Sequence, residues 1–192
     1  MYIAPIVLII GYIGETRIRF FELSKGQYRG KTFMNDEEKS YIAGFLDGDG
    51  SLMLQLKTRQ DIPTKRRFVC TICFYQDSRH DEVLLWIQSV FGIGYISRRN
   101  DGMTELRING FRQVENILSD LMPFIRLKSP QTQAMLAAIK ILSGTKNSKL
   151  SDEQIINLID YIVQIQSYNY ATRKKKSREE LLLICGIDPV ST

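Results

Sequence analysis

Apolar positions along this chain repeat with two different periods, and the switches between the periods mark its elements. Tyr41, Ile42, Phe45 and Leu46 fall at helical spacing, and Asn35 with Glu38 offers a capping-box start, which predicts a helix over 36–48. From residue 51 the period drops to two. Leu52, Leu54 and Leu56 share one face, and Met53, Gln55, Lys57 and Arg59 share the other. Residues 66–75 repeat this, with Phe68, Cys70, Ile72 and Phe74 against Arg67, Val69, Thr71, Cys73 and Tyr75. The segment "HDEVLLWIQSVFG" returns to helical spacing and ends at Gly92, with Trp86 expected in its buried stripe. "GYISRRNDGMTELRING" reads as a hairpin turning at Asn100-Asp101-Gly102. It carries Tyr95, Ser97 and Arg99 on one face of its first arm, and Glu105 and Arg107 together on the second.

Helices fill the rest. "FRQVENILSDLMP" stops at Pro123, and Ser129-Pro130 puts a cap and an N1 proline before "QTQAMLAAIKILSG". Ser151 with Gln154, and Ser177 with Glu180, open the last two helices. The order is helix, hairpin, helix, hairpin, helices. That implies an α+β fold, an antiparallel four-stranded sheet with helices on one face. No linker divides 35–192, which reads as a single domain. Residues 1–34 are expected to be a loosely ordered extension. Their apolar start, "MYIAPIVLIIGYIG", is too short to span a membrane and lacks the basic region of a secretory signal.

Charge narrows the partners. The 192 residues carry a formal net charge of +5 and a pI near 9.1, which favours a polyanion. Three cysteines do not make a disulfide framework and imply reduced thiols inside a cell. Cys70-x-x-Cys73 lies in a strand, where residues three apart face opposite ways, so it is structural. "DGDGS" opens like a calcium loop, but Leu52 and Thr58 stand where that loop needs glycine and glutamate, which excludes it.

The polar sheet face recurs on at least three strands and is rich in the side chains that read base edges and phosphates. Its candidate DNA contacts are Met53, Gln55, Lys57, Arg59, Arg67, Thr71, Tyr95, Ser97, Arg99, Glu105 and Arg107. The run Arg173, Lys174, Lys175, Lys176 precedes a capped helix, a good place to meet phosphates.

The first helix is unusual. Gly44 and Gly48 lie four apart on one face, with Ala43 beside them, and helical glycine costs up to about 1 kcal/mol relative to alanine. A bare strip permits close approach of a second backbone, and a symmetric copy supplies one. Ala43, Gly44, Asp47 and Gly48 are therefore the expected dimer contacts. Two copies crossing there bring each Asp49 beside its mate at two negative helix ends, and a divalent cation relieves that repulsion.

The stretch "YIAGFLDGDG" resembles the LAGLIDADG motif of the homing endonucleases. The likeness runs from Tyr41 to Ile184 through "FGIGYISRR", "LMPFIRLKSPQTQA" and "YNYATRKKKS", and is strongest to single-motif homodimers of algal chloroplast introns. It implies double-strand cleavage of a long, roughly palindromic DNA site, leaving short 3′ overhangs. It implies Mg²⁺, with Mn²⁺ able to substitute, held by Asp49 and the Gly48 carbonyl. Gln76 and Lys128 match positions that order water around the metal. A third such position usually carries arginine and here is His80, beside Arg79. By strand parity Gln76 points with Phe74, so a bulge or strand end must re-aim it. The resemblance also implies an organelle as the setting. An intron-RNA maturase and a non-catalytic DNA-binding regulator are alternatives of the same fold.

Overall fold

A computed structural model describes residues 34–58, 66–145, 150–169 and 175–189, all in one packed unit of the chain. The first helix, α1 (Asp36–Asp49), starts as its cap predicts: the Asn35 side chain accepts the Glu38 N–H at 2.8 Å, and Glu38 accepts the Asn35 N–H at 3.0 Å. Asp36, Glu37 and Glu38 complement its positive end. It runs straight into β1 (Gly50–Thr58). At that junction a Cβ on Gly50 would lie 2.7 Å from the Leu46 carbonyl and 2.6 Å from its Cδ1, so only glycine fits.

Next come β2 (Arg66–Asp77), α2 (Glu82–Phe91), β3 (Tyr95–Arg98), β4 (Met103–Asn109) and α3 (Phe111–Leu121). The chain closes with α4 (Ser129–Gly144), α5 (Asp152–Tyr168) and α6 (Arg178–Ile184). The strands are antiparallel in the order β1-β2-β4-β3. Leu52, Leu54, Phe68, Cys70, Ile72, Phe74, Leu106 and Ile108 bury one sheet face in a core with Ile42 and Leu46 of α1 and the inward stripes of the other helices. Each large apolar side chain so buried contributes about 1.5–3 kcal/mol, which settles which face turns inward. No helix among the described residues is long and apolar enough to cross a membrane.

Three expectations need correction. Trp86 is 37 % exposed: the inward stripe of α2 is Leu84, Ile87 and Val90, and position 86 falls off it. Its ring instead meets Tyr41 edge-on, centroids 5.4 Å apart. The N-cap of α4 is Lys128 rather than Ser129 and has no side-chain cap of its own. Met34 belongs to the core rather than to an extension; residues 1–33 lie outside those described.

Burial pushes the Cys70 thiol up to about 12 from its ordinary 9.0. The folded state therefore keeps a proton that the unfolded chain releases. This stabilisation is complete below pH 9.0 and is lost as pH rises from there toward about 12. Denaturant titrations at stepped alkaline pH should show that decline, and Cys70→Ala should flatten it.

Candidate active site

The end of α1 and the start of α4 meet over the sheet edge. Asp49, exposed, is the last residue of α1, and its carboxylate takes no hydrogen bond from any described residue. Lys128 stands opposite, buried, with its Nζ donating to the Asp47 carbonyl at 2.6 Å. Burial lowers the Lys128 pKa from its ordinary value, while the Asp47 and Asp49 carboxylates oppose that shift. An open cleft of about 530 Å³ extends from this pair and is lined by Ser51, Met53, Tyr75, Arg99, Gln131 and Asn169 among others. Tyr75 and Ser51 share a hydrogen bond across the strands at 3.3 Å. Asn169, just past α5, donates to the Leu52 carbonyl at 3.0 Å and closes the cleft's wall.

Gly48 and Asp49 offer a carbonyl and a carboxylate, hard oxygens suited to a divalent cation that keeps several waters. Among the described residues no group of three or more His, Cys, Asp or Glu that could hold a metal ion forms. A second copy meeting the same helix end would double the Gly48 and Asp49 oxygens.

Gln76 and His80 do not line this cleft. The β2 register runs unbroken from Arg66 to Asp77, so no bulge re-aims Gln76, which keeps the parity of Phe74 and accepts the Asp77 N–H at 2.8 Å. His80 is exposed at the end of a 3₁₀ turn, Ser78–His80. Asp77 caps that turn and is gripped by Arg79 through Nε at 3.0 Å and Nη2 at 2.8 Å. The Arg79 guanidinium holds the Asp77 carboxyl far below the usual carboxylate range.

The expected dimer strip divides in two. Gly44 and Gly48 face outward: both are exposed, and beyond their own helix backbone and chain neighbours no described atom lies within 4 Å of where a Cβ would sit. Tyr41, 54 % exposed, extends that face and stacks on Phe45. Ala43 and Asp47 are corrected: Ala43 is fully buried in its own core, and Asp47 is 8 % exposed with its carboxylate taken up inside the chain.

On the polar sheet face, Lys57 and Arg67 sit directly opposite each other, both exposed. Like charges in that register destabilise a sheet unless an anion covers them. Met53, Gln55 and Ser97 are half-buried, and Tyr95 is exposed. Thr71 is corrected: it is 1 % exposed and its hydroxyl donates to Asn109 at 2.7 Å, so its row presents Asn109 to solvent instead. Glu105 is buried and accepts Arg107 through Nε and Nη2 at 3.1 and 3.2 Å. Arg99 lies in the turn rather than in β3, with Asp101 at 2.6 Å. Lys175 is exposed; Arg59, Arg173 and Lys174 fall outside the described residues.

Gln131 was not expected. It follows Lys128 by three positions, so the two share a face of α4's first turn, a spacing legible once Lys128 is singled out. It is 3 % exposed, and its Oε1 has no hydrogen-bond partner among the described residues. A buried amide oxygen left unpaired is a stability cost. Gln131→Met should therefore raise the unfolding free energy of the DNA-free protein by about 1–3 kcal/mol in urea titrations.

Comparisons with known proteins identify the family of the chain. A family model described as LAGLIDADG endonuclease matches residues 42–142. DNA endonuclease I-CvuI of Chlorella vulgaris is 33% identical over 117 residues, covering 60% of this chain and 73% of that protein. DNA endonuclease I-CreI of Chlamydomonas reinhardtii is 28% identical over 148 residues, covering 77% of this chain and 88% of that one. The crystal structure of I-CvuI in complex with the I-CreI target, in the presence of Mg, superposes with a TM-score of 0.69 at 25% identity, over 78% of this chain and 93% of that one. The archaeal intron-encoded I-Vdi141I complexed with DNA shares the fold, with a TM-score of 0.67 at 20% identity, over 79% of this chain and 96% of that one. With more than half its length matched by the family model and its α1 motif standing at the cleft, this chain belongs to the LAGLIDADG endonuclease family.

Proposed function

We propose that this chain is an intron-encoded homing endonuclease that cuts both strands of a long, roughly palindromic DNA site as a homodimer. One observation carries the reading: an unpartnered Asp49 carboxylate at the end of α1, facing a buried Lys128, beside an outward glycine strip. The DNA complexes and divalent ions of the similar proteins support it. The algal sources of two relatives support an organelle as its setting.

Two copies abutting along Gly44 and Gly48 would bring their Asp49 residues together beneath the minor groove. Mg²⁺, held there by Asp49, the Gly48 carbonyl and water, would supply Lewis-acid stabilisation of charge at the scissile phosphate. Mn²⁺, similar in ligand preference, should substitute. Water attacks phosphorus in line, the bond to the 3′ oxygen breaks, the attacking water's proton passes to ordered solvent, and the departing 3′ oxygen takes a proton from that solvent to end as a hydroxyl. Among the described residues no carboxylate or imidazole in the cleft stands ready as a general base: Asp47 is held by backbone N–H groups, Asp49 would be taken up as the metal ligand, and His80 lies outside. The Lys128 ammonium uses one N–H on Asp47, which leaves two donors for phosphate oxygen or ordered water. Recognition uses the polar face of the sheet. Lys57 and Arg67 meet phosphates, and Gln55, Ser97, Arg107 and Asn109 read the major groove. Lys175, with the neighbouring basic run, adds phosphate contacts.

Asp49→Asn should bind target DNA as the wild type does, yet cut it with Mg²⁺ at below about a hundredth of the wild-type rate. Gel-shift and cleavage assays run in parallel check this, and undiminished cutting would refute the assignment. Gly44→Leu puts a bulky side chain on the strip. Sedimentation should then show a dimer for the wild type and a monomer for the variant.

A further inference from the structure

Asp47 sits where a carboxylate should be unwelcome, in the last turn of α1, at the negative end of the helix dipole. Its surroundings explain the choice. Oδ2 accepts the backbone N–H of Arg126 at 2.7 Å and of Leu127 at 3.0 Å, and Oδ1 accepts that of Lys128 at 2.9 Å. These groups lead into α4, whose own N-cap has no side-chain hydrogen bond. The positive end of α4 therefore offsets the negative end of α1, with Asp47 between them. The same residue's carbonyl accepts Lys128 Nζ at 2.6 Å. Lys128 is thus gripped twice by one residue, at its backbone and at its ammonium.

That double grip spans a sequence separation of 81 and ends two residues before Asp49. We propose that Asp47 is a positioning residue for cleavage: it holds Lys128 at a set distance from Asp49, so the reactive pair is assembled within each chain before DNA or a second copy arrives. This rests on the reading of Asp49 and Lys128 as the cleavage site. Asparagine cannot replace the clasp, because its single oxygen accepts at two sites and its amide would point N–H at N–H. Losing such a supporting partner typically costs 10–100-fold in activity, on the order of what a misplaced Lys128 would lose.

The test is a cycle of Asp47→Asn, Lys128→Met and the double variant in the full chain. Single-turnover cleavage rate and target-DNA affinity are measured separately. Asp47→Asn should slow cleavage by about 10–100-fold with affinity unchanged, and should add nothing once Lys128 is methionine. Equal slowing in both backgrounds, or none in either, overturns the proposal while leaving Lys128 its role. Full-rate cutting by Lys128→Met alone overturns the cleavage-site reading, and the proposal with it. If Asp47→Asn does not fold, hydrogen exchange on the wild type decides. The Arg126, Leu127 and Lys128 amides should be protected, and free exchange at all three overturns the clasp.

Discussion

The passage from α1 into β1 without a loop governs everything around it. The helix ends at Asp49 and the strand begins at Gly50, which fits only because it lacks a Cβ against Leu46. Leu46 in turn is fully buried between helix and sheet. A rigid element on each side of one peptide bond leaves Asp49 no freedom to drift. A carboxylate placed this way can serve as a fixed ligand, which a loop residue would do only by losing conformational entropy on binding.

From that junction the rest of the site follows by charge and hydrogen bonding. Asp47 is drawn inward to the N–H groups preceding α4, and Asp49, two positions on, is left facing out. Two acids of one motif thus have opposite fates. One is spent on the architecture of its own chain. The other remains exposed, with no hydrogen bond from any described residue. The outward glycines lie on the same side of α1 as Tyr41, whose ring contact with Trp86 carries that face onto α2. The polar sheet face is organised on a different principle: Lys57 opposite Arg67 is an electrostatic cost in the free protein that only an anionic partner relieves. Glu105 with Arg107, and Thr71 with Asn109, show the reverse, polar pairs already hydrogen-bonded to each other, with donors of Arg107 and Asn109 to spare.

Much of this was legible in the chain itself, because it depends on neighbours in sequence. The three capping boxes at Asn35, Ser151 and Ser177 need only a residue and its third neighbour. The alternation along β1 and β2 needs only a pleat and a core. The turn after Arg99 needs only Gly102 with its positive φ. These are local rules, and local rules survive without knowledge of the fold. The glycine pair and Asp49 also stood out, since helical glycine and an acid at a helix end are each unfavourable unless something answers them.

Tertiary structure decided what those rules leave open. Whether Trp86 is buried depends on which side of α2 meets the sheet, a rotation that a short apolar helix does not specify. Ala43 and Gly44 are adjacent in sequence, yet one faces the core and the other faces out. Gln76 kept its parity because the ladder with β4 runs on without a bulge, and hydrogen-bond register is a property of two strands. The partnership of Asp47 with Arg126, Leu127 and Lys128 joins residues some eighty positions apart. Nothing in either segment names the other. Only the packing of α1 against the helices that follow brings them within hydrogen-bond reach, and that contact separates a buried, hydrogen-bonded acid from an exposed one two positions on.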